Sequence, residues 1–183
     1  MLQQRNAVSH QELHKTGIAS REIFIVMIKL FALDIDGTLT DGGVYMDGLG
    51  NEYKRFNTQD GYGLTSLIKS GVKVVFISGR YSPATQRRAQ ELNITVCING
   101  TNDKLTELKK IAIEYKISKE EIAYAGDDIP DLECIKWAGV GIATKNSVVE
   151  IKESADWCTE QSGGNGAIRE CAEYIHKING GSL

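Results

Sequence analysis

The chain has 183 residues, 42% of them hydrophobic and 25% charged, with a formal net charge of −3. That length suffices for one domain burying roughly two-thirds of its extended-chain surface, and that composition excludes a disordered chain. The slightly acidic balance offers no broad attraction for nucleic acid or anionic lipid, although a local basic pocket for a small anion is compatible with it.

The opening stretch, MLQQRNAVSHQELHKTGIAS, is polar and mixed; residues 1–22 read as a disordered leader and 23–179 as a single domain. The run IFIVMIKLFAL that follows is far too short to span a bilayer and lacks a small-residue cleavage site, which points to a soluble cytoplasmic protein. Phe24 to Leu33 is nearly continuous in its apolarity and predicts a strand covered on both faces. It ends in LFALDIDGTLTDGGVY, after which residues 44–56 place two short extended segments around DGLG, the pattern of an inserted β-hairpin. Leu64, Leu67 and Ile68 recur at helical spacing, and VKVVFIS over Val72 to Ser78 predicts the next strand. Ser82 before Pro83 is an N-cap with proline at the first helical position, opening a helix through Leu92. ITVCI from Ile94 predicts a strand, and Leu105, Leu108, Ile111, Ala112 and Tyr115 form one helical stripe. Ser118 and Glu121 have capping-box spacing for at most one turn, because EIAYAG, Glu121 to Gly126, reads as strand. AGVGIA from Ala138 is a short further strand, and Ile168, Cys171, Ala172, Ile175 and Ile178 mark a last amphipathic helix. The four cysteines are dispersed, without zinc or CxxC spacing, and read as free thiols. Strand and helix alternate throughout. The expected fold is α/β: a Rossmann-like, mostly parallel sheet with helices on both faces and a β-hairpin insertion after the first strand.

Two acidic clusters stand out against this order. Residues two apart on a strand point the same way, so Asp34 and Asp36 can face one small volume at the C-terminal edge of the sheet, where open α/β folds place their sites. Two such charges repel, and a hard divalent cation is their natural partner. Asp127 and Asp128 in GDDIPD, directly after a later strand, supply further carboxylates if that strand lies beside the first. Acidic residues are common at strand ends, and a lone DxD or DD means little. The ordered set of DIDGTLTDG, Ser78-Gly79-Arg80, a lysine opening a helix, and GDDIPD makes one catalytic site the better reading.

In that order the motifs resemble those of the haloacid-dehalogenase-like phosphatases: DIDGTLTDG the first, Ser78 the second, Lys104 the third and GDDIPD the fourth. The resemblance covers Ile28 to about Lys177. Within that superfamily DGG, GNEYKRFNTQDGYG, ISGR, NGTNDK and GGNGAIRE are similar to the cap-less 3-deoxy-D-manno-octulosonate (KDO) 8-phosphate phosphatase family. The resemblance implies magnesium-dependent phosphomonoester hydrolysis through a phosphoaspartate, in a homotetramer whose subunits help close one another's sites. It makes Asp34 the nucleophile and Asp36 the proton donor and acceptor, with Ser78 and Lys104 holding phosphoryl oxygens. Magnesium would be held by Asp34, the backbone carbonyl of Asp36 and Asp127, with Asp128 behind these ligands or acting through water and Asp131 ordering the loop. Thr38 would brace the first loop or touch phosphate. On the substrate side, Gly79 and Arg80 would meet the phosphate or sugar acid, Lys54 and Asp60 would line the entrance, and a bend at Gly163-Gly164 would carry Arg169 to a neighbour's pocket.

Some positions depart from the commonest pattern: Thr38 and Leu39, NGTNDK in place of a glutamine-glycine pair, and TQDG in place of an arginine-aspartate version. None removes a catalytic group. Similar families act on 9-phosphates of nine-carbon sialic-type acids, one of them with glutamate where this chain has Arg80, so the arginine favours the eight-carbon sugar. Two readings of another class are a non-catalytic oligomerisation domain, disfavoured by the intact Asp34, Asp36, Lys104 and Asp127, and a phosphoaspartate receiver, whose acidic pair belongs before its phosphoacceptor strand.

Overall fold

The computed structural model describes residues 26–182; the expected leader lies outside them. Six parallel strands form one sheet in the order β5-β4-β1-β6-β7-β8: β1 is Leu30–Leu33, β4 Lys73–Ser78, β5 Val96–Asn99, β6 Ile122–Gly126, β7 Val140–Ala143 and β8 Trp157–Cys158. A separate antiparallel pair, β2 (Tyr45–Met46) and β3 (Glu52–Tyr53), is the expected hairpin. The helices are α1 (Thr58–Lys69), α2 (Pro83–Glu91), α3 (Lys104–Tyr115), α4 (Leu132–Trp137), α5 (Val149–Ser154) and α6 (Ala167–Ile178).

Alternation along the strands divides the core into two layers. Phe31 and Leu33 face Leu64 and Leu67 of α1, Ala89 of α2 and Ile168, Cys171 and Ile175 of α6. Leu30 and Ala32 face Leu108 and Ile111 of α3, Ile135 of α4 and Ile151 of α5. Both faces of β1 are therefore dry, as its unbroken apolarity requires. The strand is shorter than the apolar run. Upstream of it the side chain of Asn179 takes both backbone groups of Ile28, accepting from its N–H at 2.8 Å and donating to its carbonyl at 2.9 Å.

Other boundaries moved for local reasons. Ser82 stands at the N-cap of α2 but its hydroxyl makes no capping bond; Asn99 instead brackets its backbone, accepting from its N–H at 3.0 Å and donating to its carbonyl at 2.9 Å. The Ser118–Glu121 box is one 3-10 turn, with the Glu121 carboxylate accepting from the Ser118 N–H at 3.0 Å. Helices α4 and α5, six residues each, and the two-residue β8 are too short to show a period, and sequence reasoning missed them. Cys134 and Cys171 are buried and Cys97 and Cys158 half-buried, all four as free thiols.

Helices α1 and α6 pack closely. A Cβ on Gly63 would stand 3.1 Å from that of Ala172. Asp60, in the first turn of α1, is fully buried, and its carboxylate accepts from the N–H groups of Gly166 at 3.3 Å and Arg169 at 2.9 Å. It thus satisfies the start of α6, where the Gly166 N-cap has no side chain to do so. Asp60→Ala leaves these donors buried without an acceptor and should lower the unfolding free energy by about 2 kcal/mol, read from urea midpoints at unchanged slope.

Candidate active site

Strands β1 and β6 are paired, Leu33 opposite Ala125, and the Asp34 N–H continues the ladder to the Ala125 carbonyl at 3.0 Å. From β1 the chain leads to α1 on one face, and from β6 to α4 on the other. The loops after the two strands part, opening a crevice between their C-terminal ends. Asp34 and Asp36 enter it from one side and Asp127 and Asp128 from the other.

The first loop is wound tightly. The N–H groups of Leu39 and Thr40 both converge on the Ile35 carbonyl at 2.9 Å. Gly37 has φ +89° and lies against Asp127, where a Cβ would come within 2.0 Å of Oδ2, so only glycine fits. The Thr38 hydroxyl donates to Asp127 Oδ1 at 2.8 Å and braces the second loop on the first. Behind Gly37 the bend of GGNGAIRE closes the packing: a Cβ on Gly163 would lie 2.0 Å from the Gly37 oxygen. Asn146 ties the two, donating to the Gly37 carbonyl at 2.8 Å and accepting from the Gly163 N–H at 2.6 Å.

Asp103 caps α3, accepting from the Thr106 N–H at 3.0 Å, and so makes Lys104 the first helical residue. The buried Lys104 ammonium lies 2.7 Å from Asp34 Oδ1 and 2.8 Å from Asp131 Oδ1. The Tyr124 hydroxyl donates to the same Asp131 oxygen at 2.6 Å, and the Asp127 and Asp128 N–H groups donate to the other at 3.2 and 3.4 Å. Burial pulls the lysine pKa down, but Asp34 and Asp131 outweigh it and raise it above its ordinary value. Burial, followed by the Asp131 charge, pushes the Asp34 carboxyl up to about 8 against the pull of Lys104. Burial also pushes Asp127 up to about 7.

Asp34, Asp36, Ser78, Gly79, Arg80, Lys104 and Asp128 line one crevice of about 160 Å³. The Ser78 hydroxyl donates to the Arg80 carbonyl at 3.0 Å, setting the turn that brings Arg80 to the rim. Lys54 reaches Asp36 from the hairpin, beside Glu52 and Arg80. The structure does not bring Asp60 or Arg169 to the crevice. Asp60 is enclosed under α6, so it does not line the entrance; the Arg169 guanidinium pairs with Glu173 at 2.7 Å and lies 4.9 Å over the Tyr62 ring.

Oxygens of Asp34, Asp127 and Asp131 lie within 4.8 Å of one another, whereas Asp128 is exposed and caps its own turn, accepting from the Ile129 N–H at 2.8 Å. Asp131, and not Asp128, completes the carboxylate cluster with Asp34 and Asp127. Its oxygens are already engaged by Lys104, Tyr124 and two loop amides, in keeping with an ordering role. An all-oxygen set whose carboxyls hold protons near neutrality fits a hard divalent cation, which favours their ionised forms. Tyr124 and Glu52 were missed from sequence. The tyrosine sits in an apolar strand run and reads as core; the glutamate sits in a hairpin and reads as surface.

A family model for haloacid dehalogenase-like hydrolases matches residues 31–102 and 101–170. The chain belongs to that family. Among curated members of the haloacid dehalogenase-like hydrolases, the 3-deoxy-D-manno-octulosonate 8-phosphate phosphatases KdsC of Yersinia pestis and Escherichia coli K12 are 35% and 34% identical, over 81% of this chain and 79% of theirs. The crystal structure of the Moraxella catarrhalis enzyme of that name, in complex with magnesium, phosphate and KDO, superposes with a TM-score of 0.82 at 43% identity, covering 84% of this chain and 88% of that one. The cobalt-bound deoxy-D-mannose-octulosonate 8-phosphate phosphatase (YrbI) of Haemophilus influenzae gives a TM-score of 0.82 at 32% identity, over 85% of this chain and 91% of that one.

The carboxyl shifts give the haloacid dehalogenase-like site a pH signature. Asp34 and Asp127, near 8 and 7 against an ordinary 3.8, bind more protons in the folded than in the unfolded chain. Their contribution to stability in cation-free protein is thus lost as pH rises from about 4 through 8. Magnesium, which needs the ionised forms, should displace protons. The rise in melting temperature at fixed magnesium should be larger at pH 8 than at pH 6, measured by calorimetry.

Proposed function

We propose that this protein is a magnesium-dependent phosphatase that releases inorganic phosphate from KDO 8-phosphate by way of a phosphoaspartate. The observation that carries the chemistry is the buried Lys104 holding Asp34 by one oxygen, with Asp36 in the same crevice. The substrate follows from the KdsC relatives and from the KDO-bound Moraxella catarrhalis structure.

With Oδ1 held by Lys104, the other oxygen of Asp34 attacks phosphorus. The new P–O bond forms as the ester bond breaks, and the departing sugar oxygen takes its proton from Asp36. In the second half Asp36 accepts a proton from water while the water oxygen attacks phosphorus, and Asp34 leaves as a carboxylate. Lys104 and Ser78 hold phosphoryl oxygens, and their fixed geometry favours the charge that develops there. Asp34, Asp127 and the backbone carbonyl of Asp36 would hold magnesium, with Asp128 acting through water. When bound, the cation neutralises charge shared by phosphate and carboxylates.

Arg80 at the rim suits the acid group of the sugar and favours eight carbons over nine. The hairpin supports a homotetramer with shared sites: Tyr45, Met46 and Tyr53 are exposed and Leu49 is 87% exposed, an apolar surface suited to a neighbouring subunit. We place the protein in the cytoplasm, and residues 23–179 as its one folded domain. Among the described residues no helix is long and apolar enough to cross a membrane.

Phosphate release should be abolished by chelation and restored by magnesium. Asp34→Asn should lower kcat by at least about a thousandfold; full activity of that variant removes the nucleophile assignment. In kinetics across KDO 8-phosphate, sialic-type 9-phosphates and hexose phosphates, the first should have the highest kcat/KM, and a wide preference for hexose phosphates overturns the substrate assignment. Sedimentation should give a tetramer.

A further inference from the structure

Lys54 follows β3 of the hairpin, yet its side chain is only 2% exposed. Its ammonium contacts Asp36 Oδ1 and stands 3.6 Å from Glu52 Oε1. The other Glu52 oxygen is held by Arg80 at 2.6 Å, and the same guanidinium is 3.9 Å from Asp36 Oδ2, beyond hydrogen-bond reach. Asp36 Oδ2 is buried and has no hydrogen-bond partner among the described residues.

The two oxygens of Asp36 are therefore unequal. An ammonium offers donors only, so Oδ1 must accept from Lys54 and cannot direct a proton toward it. Oδ2 is left to carry and pass the proton, and Asp36 lines the crevice beside Asp34 and Lys104.

We propose that Lys54 is the positioning residue of Asp36: it pins Oδ1, fixes the rotation of the carboxyl group and turns Oδ2 toward the leaving oxygen. The proposal rests on the phosphatase reading, in which Asp36 protonates that oxygen. Direct substrate binding by Lys54 fits less well, because an ammonium buried between two carboxylates presents no exposed face to a phosphate. Since Lys54 belongs to the hairpin and Asp36 to the loop after β1, the hairpin becomes part of the proton-transfer apparatus.

Leaving-group dependence tests this. Loss of an alkoxide needs a proton, whereas p-nitrophenolate departs as a stable anion. Lys54→Met should lower kcat/KM, which reports the first transfer, at least about tenfold more on KDO 8-phosphate than on p-nitrophenyl phosphate, with KM changed less than kcat. Lys54→Arg, which keeps the charge, should recover most of the loss. In the Asp36→Asn background Lys54→Met should add little, because the group it positions is gone. Equal losses on the two substrates, a change confined to KM, or additive losses in the double variant would overturn the positioning role. Wild-type release of phosphate from KDO 8-phosphate tests the phosphatase reading separately. Its absence overturns that reading and this one together, while its presence with equal Lys54→Met losses on the two substrates overturns only the role of Lys54.

Discussion

The structure is organised around the pairing of one buried lysine with two buried carboxylates. Lys104 alone would be costly in the core, and so would Asp34 or Asp131; together they are tolerable because each charge has a partner at hydrogen-bond distance. The contact fixes three separate parts of the chain. Asp34 closes β1, Lys104 opens α3, and Asp131 orders the loop after β6 by holding its amides. Removing one member strands the others in a dry site, at a typical cost of about 3–5 kcal/mol. The placement of Asp34 and the integrity of the crevice therefore share one set of contacts.

A second group of charges, Lys54, Glu52, Arg80 and Asp36, lies nearer solvent and has a different character. The hairpin contributes two members and the loop after β4 one, so residues from outside β1 and its loop surround the Asp36 carboxylate. In a fold without a separate cap domain, this shell does part of the work of a cover. Lys54 covers one oxygen of Asp36, while the half-exposed Arg80 stands at the rim.

Much of this was legible in the sequence because the signals were either long or chemically constrained. The central strands show as unbroken apolar runs, and DIDG and GDD place carboxylates immediately after two of them, so the site could be assembled once those strands were taken as neighbours. Short elements were not legible: six residues of α4 or α5 complete fewer than two turns. Contacts distant in sequence were also invisible. Asp60 stands in a stretch that resembles an entrance motif, yet its carboxylate caps a helix over a hundred residues away. Asp131 is the last acid of GDDIPD, and its pairing with Lys104 spans 27 residues of sequence. Tyr124 was indistinguishable from core because most of its ring is core.

The seat of the Gly163 bend against Gly37 has a temporal side. Asn146, which ties that bend to the first loop, lies 109 residues from Gly37 along the chain. A nascent chain emerging from its N-terminus must hold DIDGTLT without its buttress until residues 146–163 have been made. Contacts of such long separation are among the last to form and among the slowest. A partly made chain thus carries Asp34 before the loop that follows it is buttressed.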